Sequence, residues 1–127
     1  MRRAVCIDFD GTIAITEYPD IISLVPAAKF FIECCQVNNI AVILWTCRTG
    51  HHLEECLAWC EQNGIMFDAV NENLPDWMES YSKVFPEVDA DCRKVCASLY
   101  IDDRALGGID WKEAFAWICK SDQNNPL

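Results

Sequence analysis

A chain of 127 residues, 52% hydrophobic and 24% charged, has the length of one globular domain and enough apolar material for a single core. Its net charge is −10, and with 10 basic against 20 acidic residues and no basic run beyond Arg2-Arg3 and Arg93-Lys94, binding to long nucleic acid is disfavoured. No apolar run approaches the roughly 18 residues of a membrane span, and the apolar stretch after Met1-Arg2-Arg3 is too short for a secretion signal, so a cytoplasmic protein is expected.

In chain order, residues 4–8 form a continuous apolar run ending in Asp8, as suits a strand buried on both faces. Residues 13–25 read as irregular, with a turn at Tyr18-Pro19-Asp20. Pro26 suits the first turn of a helix reaching Asn38-Asn39, with Phe30, Phe31, Cys34 and Val37 as its apolar stripe. Ile40 to Trp45 is a second buried strand. A helix starting at Thr49-Gly50 carries Leu53, Cys56, Leu57 and Cys60 and stops at Gly64. Ile65 to Val70 is a weaker strand. Residues 71–93, with Pro75 and Pro86, read as a long connection holding at most one helical turn. Ser98 to Asp102 is another strand, and Asp110 caps a last helix with Glu113 three residues on and Phe115, Ile118 and Cys119 toward the core.

This alternation predicts a single α/β domain over residues 1–127: a Rossmann-like parallel sheet of about four to five strands with helices on both faces. Ligands of such sheets bind beyond the carboxyl ends of the strands. Polar clusters fall at each of those ends: Asp8 and Asp10, Thr46-Cys47-Arg48, Asn71-Glu72-Asn73, and Asp102-Asp103-Arg104.

Asp8 and Asp10, joined by Asp102, would repel one another without a cation, and an oxygen-rich cluster of this kind suits Mg²⁺ together with a substrate phosphate. The nine cysteines have a simpler reading, as small buried hydrophobes in a reducing compartment. Cys56/Cys60 and Cys92/Cys96 are spaced i,i+4 with His51 and His52 near the first pair, but zinc sites more often set their cysteines on tight turns, so zinc is not read here. The two histidines read as surface or capping groups, and the five tryptophans as packing residues.

Four segments resemble the motifs of the haloacid dehalogenase (HAD) superfamily of phosphatases, in its small capless form. They are Asp8-Phe9-Asp10-Gly11-Thr12, the Thr46 that ends Ile-Leu-Trp-Thr, a lysine before the last strand, and Asp102-Asp103. Lys94 is preferred over Lys83 for the lysine. The resemblance implies a Mg²⁺-dependent phosphomonoester hydrolase in which Asp8 forms an aspartyl-phosphate and Asp10 is the acid and base. It also implies that Asp8, Asp10 (through its backbone carbonyl) and Asp102 hold the metal, and that Thr46 and Lys94 bind the phosphoryl group. Asp103 is a ligand or a group behind the ligands. Arg48 is either a substrate contact or a solvated loop arginine. Two alternatives share the resemblance: a phosphotransferase, and a catalytically weak phosphate-binding or regulatory module. No stretch is long enough for an independent cap domain, so the site is expected to be open to a phosphorylated substrate of unknown identity, with a homo-oligomer left open.

Overall fold

The computed structural model describes residues 2–87 and 92–120. Its elements run β1 (Ala4–Asp8), β2 (Ala14–Glu17), β3 (Asp20–Leu24), α1 (Pro26–Val37), β4 (Ala41–Trp45), α2 (Gly50–Gln62), β5 (Ala69–Val70), α3 (Pro75–Val84), β6 (Leu99–Ile101) and α4 (Trp111–Ile118). Four strands form one parallel sheet in the order β5-β4-β1-β6, and β2 and β3 make a separate antiparallel pair. This is a small Rossmann-like α/β fold, as the strand and helix alternation predicts.

The two central strands divide their side chains between two cores, because successive residues of a strand point to opposite faces. Val5, Ile7, Val42 and Leu44 pack with α1, α2 and α4. Ala4, Cys6, Ala41 and Ile43 pack in a smaller cluster closed by Leu74 and Trp77 at the start of α3. Right-handed crossovers explain the split. The chain steps outward from β1 to β4 and β5 with its helices on one face, then returns past β1 to β6 with α3 on the other. Strand order therefore reverses beside β1, which is where α/β sheets bind ligands.

Three local expectations are corrected. Residues 13–25 are not irregular but form the β2–β3 hairpin, whose turn lies at Tyr18-Pro19. A two-stranded hairpin is marginal alone; here Ile13 and Ala14 are buried, and Ile21 and Leu24 pack against the main core. Residues 75–84 form a helix of ten residues rather than one turn. Pro75 sits at its first turn, where a missing N–H costs nothing, so it starts the helix instead of breaking it. The stripe of α1 is Ala28, Phe31, Ile32 and Cys35, while Phe30 and Val37 are exposed.

Two strands are shorter than expected, and side chains take over where the backbone ladder stops. The Asp68 carboxylate accepts the Val42 N–H at 2.7 Å beside β5, and the Ser98 hydroxyl accepts the Ala4 N–H at 3.1 Å beside β6. In α4 the Asp110 side chain accepts the Glu113 N–H as expected, with Ala114 and Ile118 buried and Cys119 exposed. Burial pushes the Cys6 and Cys35 thiols up to about 12, which leaves them as inert core groups.

Phe31 is fully buried between the rings of Trp111 and Phe115, at 5.8 Å from each. Phe31→Ala should lower the unfolding free energy by about 3–5 kcal/mol in urea titration, the usual range for a large cavity in a core.

Candidate active site

The site is built at the end of β1. Asp8 closes the strand, and the chain then folds back so that the Phe9 carbonyl accepts N–H bonds from Thr12, Ile13 and Ala14 at 3.1, 3.0 and 3.2 Å. Gly11 makes this turn at φ +82°, and a Cβ there would collide with the Asp103 carboxylate. Buried Thr12 joins the two acidic loops. Its hydroxyl donates to Asp8 Oδ2 at 2.9 Å and accepts the Asp103 N–H at 3.2 Å.

Asp8, Asp102 and Asp103 each present an oxygen within 4.8 Å of the others. Burial raises the Asp8 carboxyl to about 7, and the charges of Asp102 and Asp103 add to this against the bond from Thr12. Three carboxylate oxygens this close are the donor type that a hard divalent cation takes, so these residues could hold one. The donor set suits Mg²⁺ on that chemistry.

The Asp10 carboxylate is not part of that group. It faces Arg48, whose Nε donates to Oδ2 at 2.9 Å and whose Nη2 donates to Oδ1 at 2.7 Å. The Thr16 hydroxyl of β2 donates to Oδ1 as well, at 2.8 Å. Burial alone would raise the Asp10 carboxyl, but the Arg48 and Thr16 hydrogen bonds outweigh it and hold the group below its ordinary value. Arg48 itself is 1% exposed, with its guanidinium carbon 5.2 Å from the Phe9 ring centroid and 5.0 Å from that of Tyr18. It is buried rather than a solvated loop residue, and it lines the second cavity beside Asp10.

Thr46 follows β4 and is fixed by Asn71, which follows β5 with φ +54°. The Asn71 amide oxygen accepts the Thr46 N–H at 2.8 Å, and its nitrogen donates to the Thr46 carbonyl at 2.9 Å. The Thr46 hydroxyl accepts the Arg48 N–H at 3.1 Å, leaving its own hydrogen free to donate.

Two cavities of about 540 and 490 Å³ flank Asp8, sharing Asp8, Cys47 and Asp102 as walls. Trp45, Thr46, Glu72 and Arg93 line the first; Asp10, Thr16, Tyr18 and Arg104 line the second. Lys94 lines neither. Its amino group stands 5.4 Å from the Tyr100 ring centroid, and Lys83 pairs with Glu79 at 3.4 Å on α3. The structure thus gathers Asp8, Asp10, Thr46, Arg48, Asp102 and Asp103 and leaves both lysines outside. His51 and His52 lie at the start of α2 beside Glu55, with the His52 ring 5.6 Å from that of Tyr18.

Fold and site together define a Rossmann-like α/β fold with a carboxylate-rich cleft at the reversal of its strand order. No protein-family model and no curated protein matches the chain. Among solved structures, a conserved protein of Bacteroides thetaiotaomicron matches at a TM-score of 0.74 and 34% identity, over 93% of this chain and 90% of that one. The chain belongs to the same family as that protein.

The raised Asp8 carboxyl gives a pH prediction. A carboxyl that titrates near 7 when folded, against 3.8 ordinarily, stabilises the fold fully below about pH 4 and loses that contribution as pH rises through 7. Without divalent cations the melting temperature should fall by about 5 °C between pH 5 and pH 8. Millimolar Mg²⁺ should reverse the fall, and Asp8→Asn should show neither effect in differential scanning fluorimetry.

Proposed function

We propose that the protein is a Mg²⁺-dependent phosphomonoester hydrolase of the HAD type, working through an aspartyl-phosphate on Asp8. The observation that carries the reading is the position of the Asp8 carboxylate. It stands at the end of the central strand, at the reversal of strand order, within ligand-sharing distance of Asp102 and Asp103.

Asp8 attacks phosphorus while the bond to the leaving oxygen breaks, and Asp10 delivers a proton to that oxygen, a proton it must first take up against the Arg48 and Thr16 bonds that favour its ionised form. Water then attacks the aspartyl-phosphate as Asp10 takes up its proton, releasing inorganic phosphate and restoring Asp8. The Thr46 hydroxyl, whose hydrogen is free, donates to a phosphoryl oxygen; its amide cannot, being held by Asn71. Of the basic residues before β6, Arg93 already lines the wider cavity, so the phosphate-facing cation is assigned to it rather than to Lys94. Asp8, Asp102 and the Asp10 carbonyl would hold Mg²⁺, which would supply charge neutralisation between an anionic nucleophile and an anionic substrate.

The wider cavity, of about 540 Å³, falls in the range of small-molecule sites and offers the rest of the substrate Trp45 and Glu72. No described helix is long and apolar enough to cross a membrane. The nine cysteines are all free, which fits a reducing compartment such as the cytoplasm.

The test is a screen of metabolite phosphates and 4-nitrophenyl phosphate with Mg²⁺, using Asp8→Asn as the blank. Turnover should depend on Mg²⁺ and drop by about 10³-fold or more in the variant, as nucleophile removal does elsewhere. An Asp8→Asn protein as active as the wild type would sink the reading.

A further inference from the structure

We infer that Arg48 is the positioning residue of Asp10, and that the β2–β3 hairpin completes the hold through Thr16. The inference rests on the phosphatase reading and adds to it a machinery that extends beyond the strand ends.

The first support is geometric. Asp10 lies in a loop, and its carboxylate has no fixed direction of its own. The Arg48 fork closes on both of its oxygens at 2.9 and 2.7 Å, fixing the plane of the carboxylate as well as its position. Thr16 adds a third donor at Oδ1, so the carboxylate is held in one orientation on the wall of the cavity that also holds Asp8.

The second support is what the arrangement gives up. Arg48 is almost fully buried between the Phe9 and Tyr18 rings, and its Nη1 has no hydrogen-bond partner among the described residues. A buried donor left unpaired is unfavourable, so stability alone does not account for an arginine here. Its Nε and Nη2 both donate to Asp10, on the wall of the cavity that also holds Asp8 and Asp102.

Chemistry supplies the discriminating readout. When the bond from phosphorus to the leaving oxygen breaks, an alkoxide needs the Asp10 proton, whereas 4-nitrophenolate leaves without it. A poorly aligned Asp10 therefore slows alkyl phosphates far more than aryl phosphates.

The experiment compares kcat/KM for an alkyl phosphate, taken from the screen, with that for 4-nitrophenyl phosphate in the wild type, Arg48→Met and Thr16→Val. Melting curves establish that each variant is folded. Arg48→Met should lose about 100-fold on the alkyl substrate and no more than about 5-fold on the aryl one, within the range of general acid catalysis. Thr16→Val, a hairpin change that leaves the Arg48 fork in place, should shift the same ratio by about 5-fold and answers the question if Arg48→Met does not fold. Equal losses on both substrates in a folded variant, or no loss on either, overturn the inference alone. A wild-type protein with no phosphatase turnover overturns it together with the reading it rests on.

Discussion

Three carboxylates held within 4.8 Å of one another repel, and much of this small fold works to keep them there. Asp8 is anchored by a strand buried on both faces and hydrogen-bonded on both sides, to β4 and to β6. Asp102 and Asp103 arrive on the loop after β6, and one buried hydroxyl, that of Thr12, is bonded both to the Asp8 carboxylate and to the Asp103 backbone. Gly11 lacks a Cβ because the Asp103 carboxylate occupies that space. Burial and like charge both act against ionised Asp8, so the cluster is strained electrostatically while its backbone is well supported. Strain of this kind persists where the surrounding structure over-determines it, and it is concentrated at functional sites.

The acidic cluster was legible in the sequence because it follows from one rule. A continuous apolar strand ending in polar residues places them at the carboxyl edge, so Asp8, Thr46 and Asp102 could be located from their strands alone. The features that stayed hidden depend on contacts distant in sequence. Nothing local marks Arg48 as buried, because the rings that enclose it come from Phe9 and from Tyr18 at the hairpin turn. The hairpin was missed because its strands are short and its outward residues, Ile15 and Ile22, are as apolar as its inward ones, which blurs the period of two. The stripe of α1 was misplaced for a similar reason. Phe30 and Val37 are apolar yet exposed, and only the packed sheet selects Ala28, Phe31, Ile32 and Cys35. A propensity argument cannot choose between two apolar faces of one helix.

The family relationship bears on the fold more than on the chemistry. Identity of 34% over 93% of the chain, at a TM-score of 0.74, goes with a shared fold, but fold does not carry function with it. The functional argument therefore has to rest on the site. There the distribution of positive charge is decisive. The guanidinium of Arg48 faces Asp10, which already neutralises it at 2.7 Å. Lys94 stands over Tyr100, and Lys83 is paired on α3.

On the proposed reading, an anionic substrate would meet Arg93 in one cavity and Arg104 in the other, set against Asp8, Asp102, Asp103 and Glu72 in a protein of net charge −10. Two exposed guanidinium groups in high dielectric do not reverse such a field. A divalent cation at the carboxylate cluster would, since it replaces mutual repulsion among three acids with shared attraction to one centre. On the proposed phosphatase reading, the same acidity calls for a cation at the strand ends. It also ties substrate binding to cation binding: phosphate should bind weakly to the metal-free protein, because the fold has committed its best-placed arginine to Asp10.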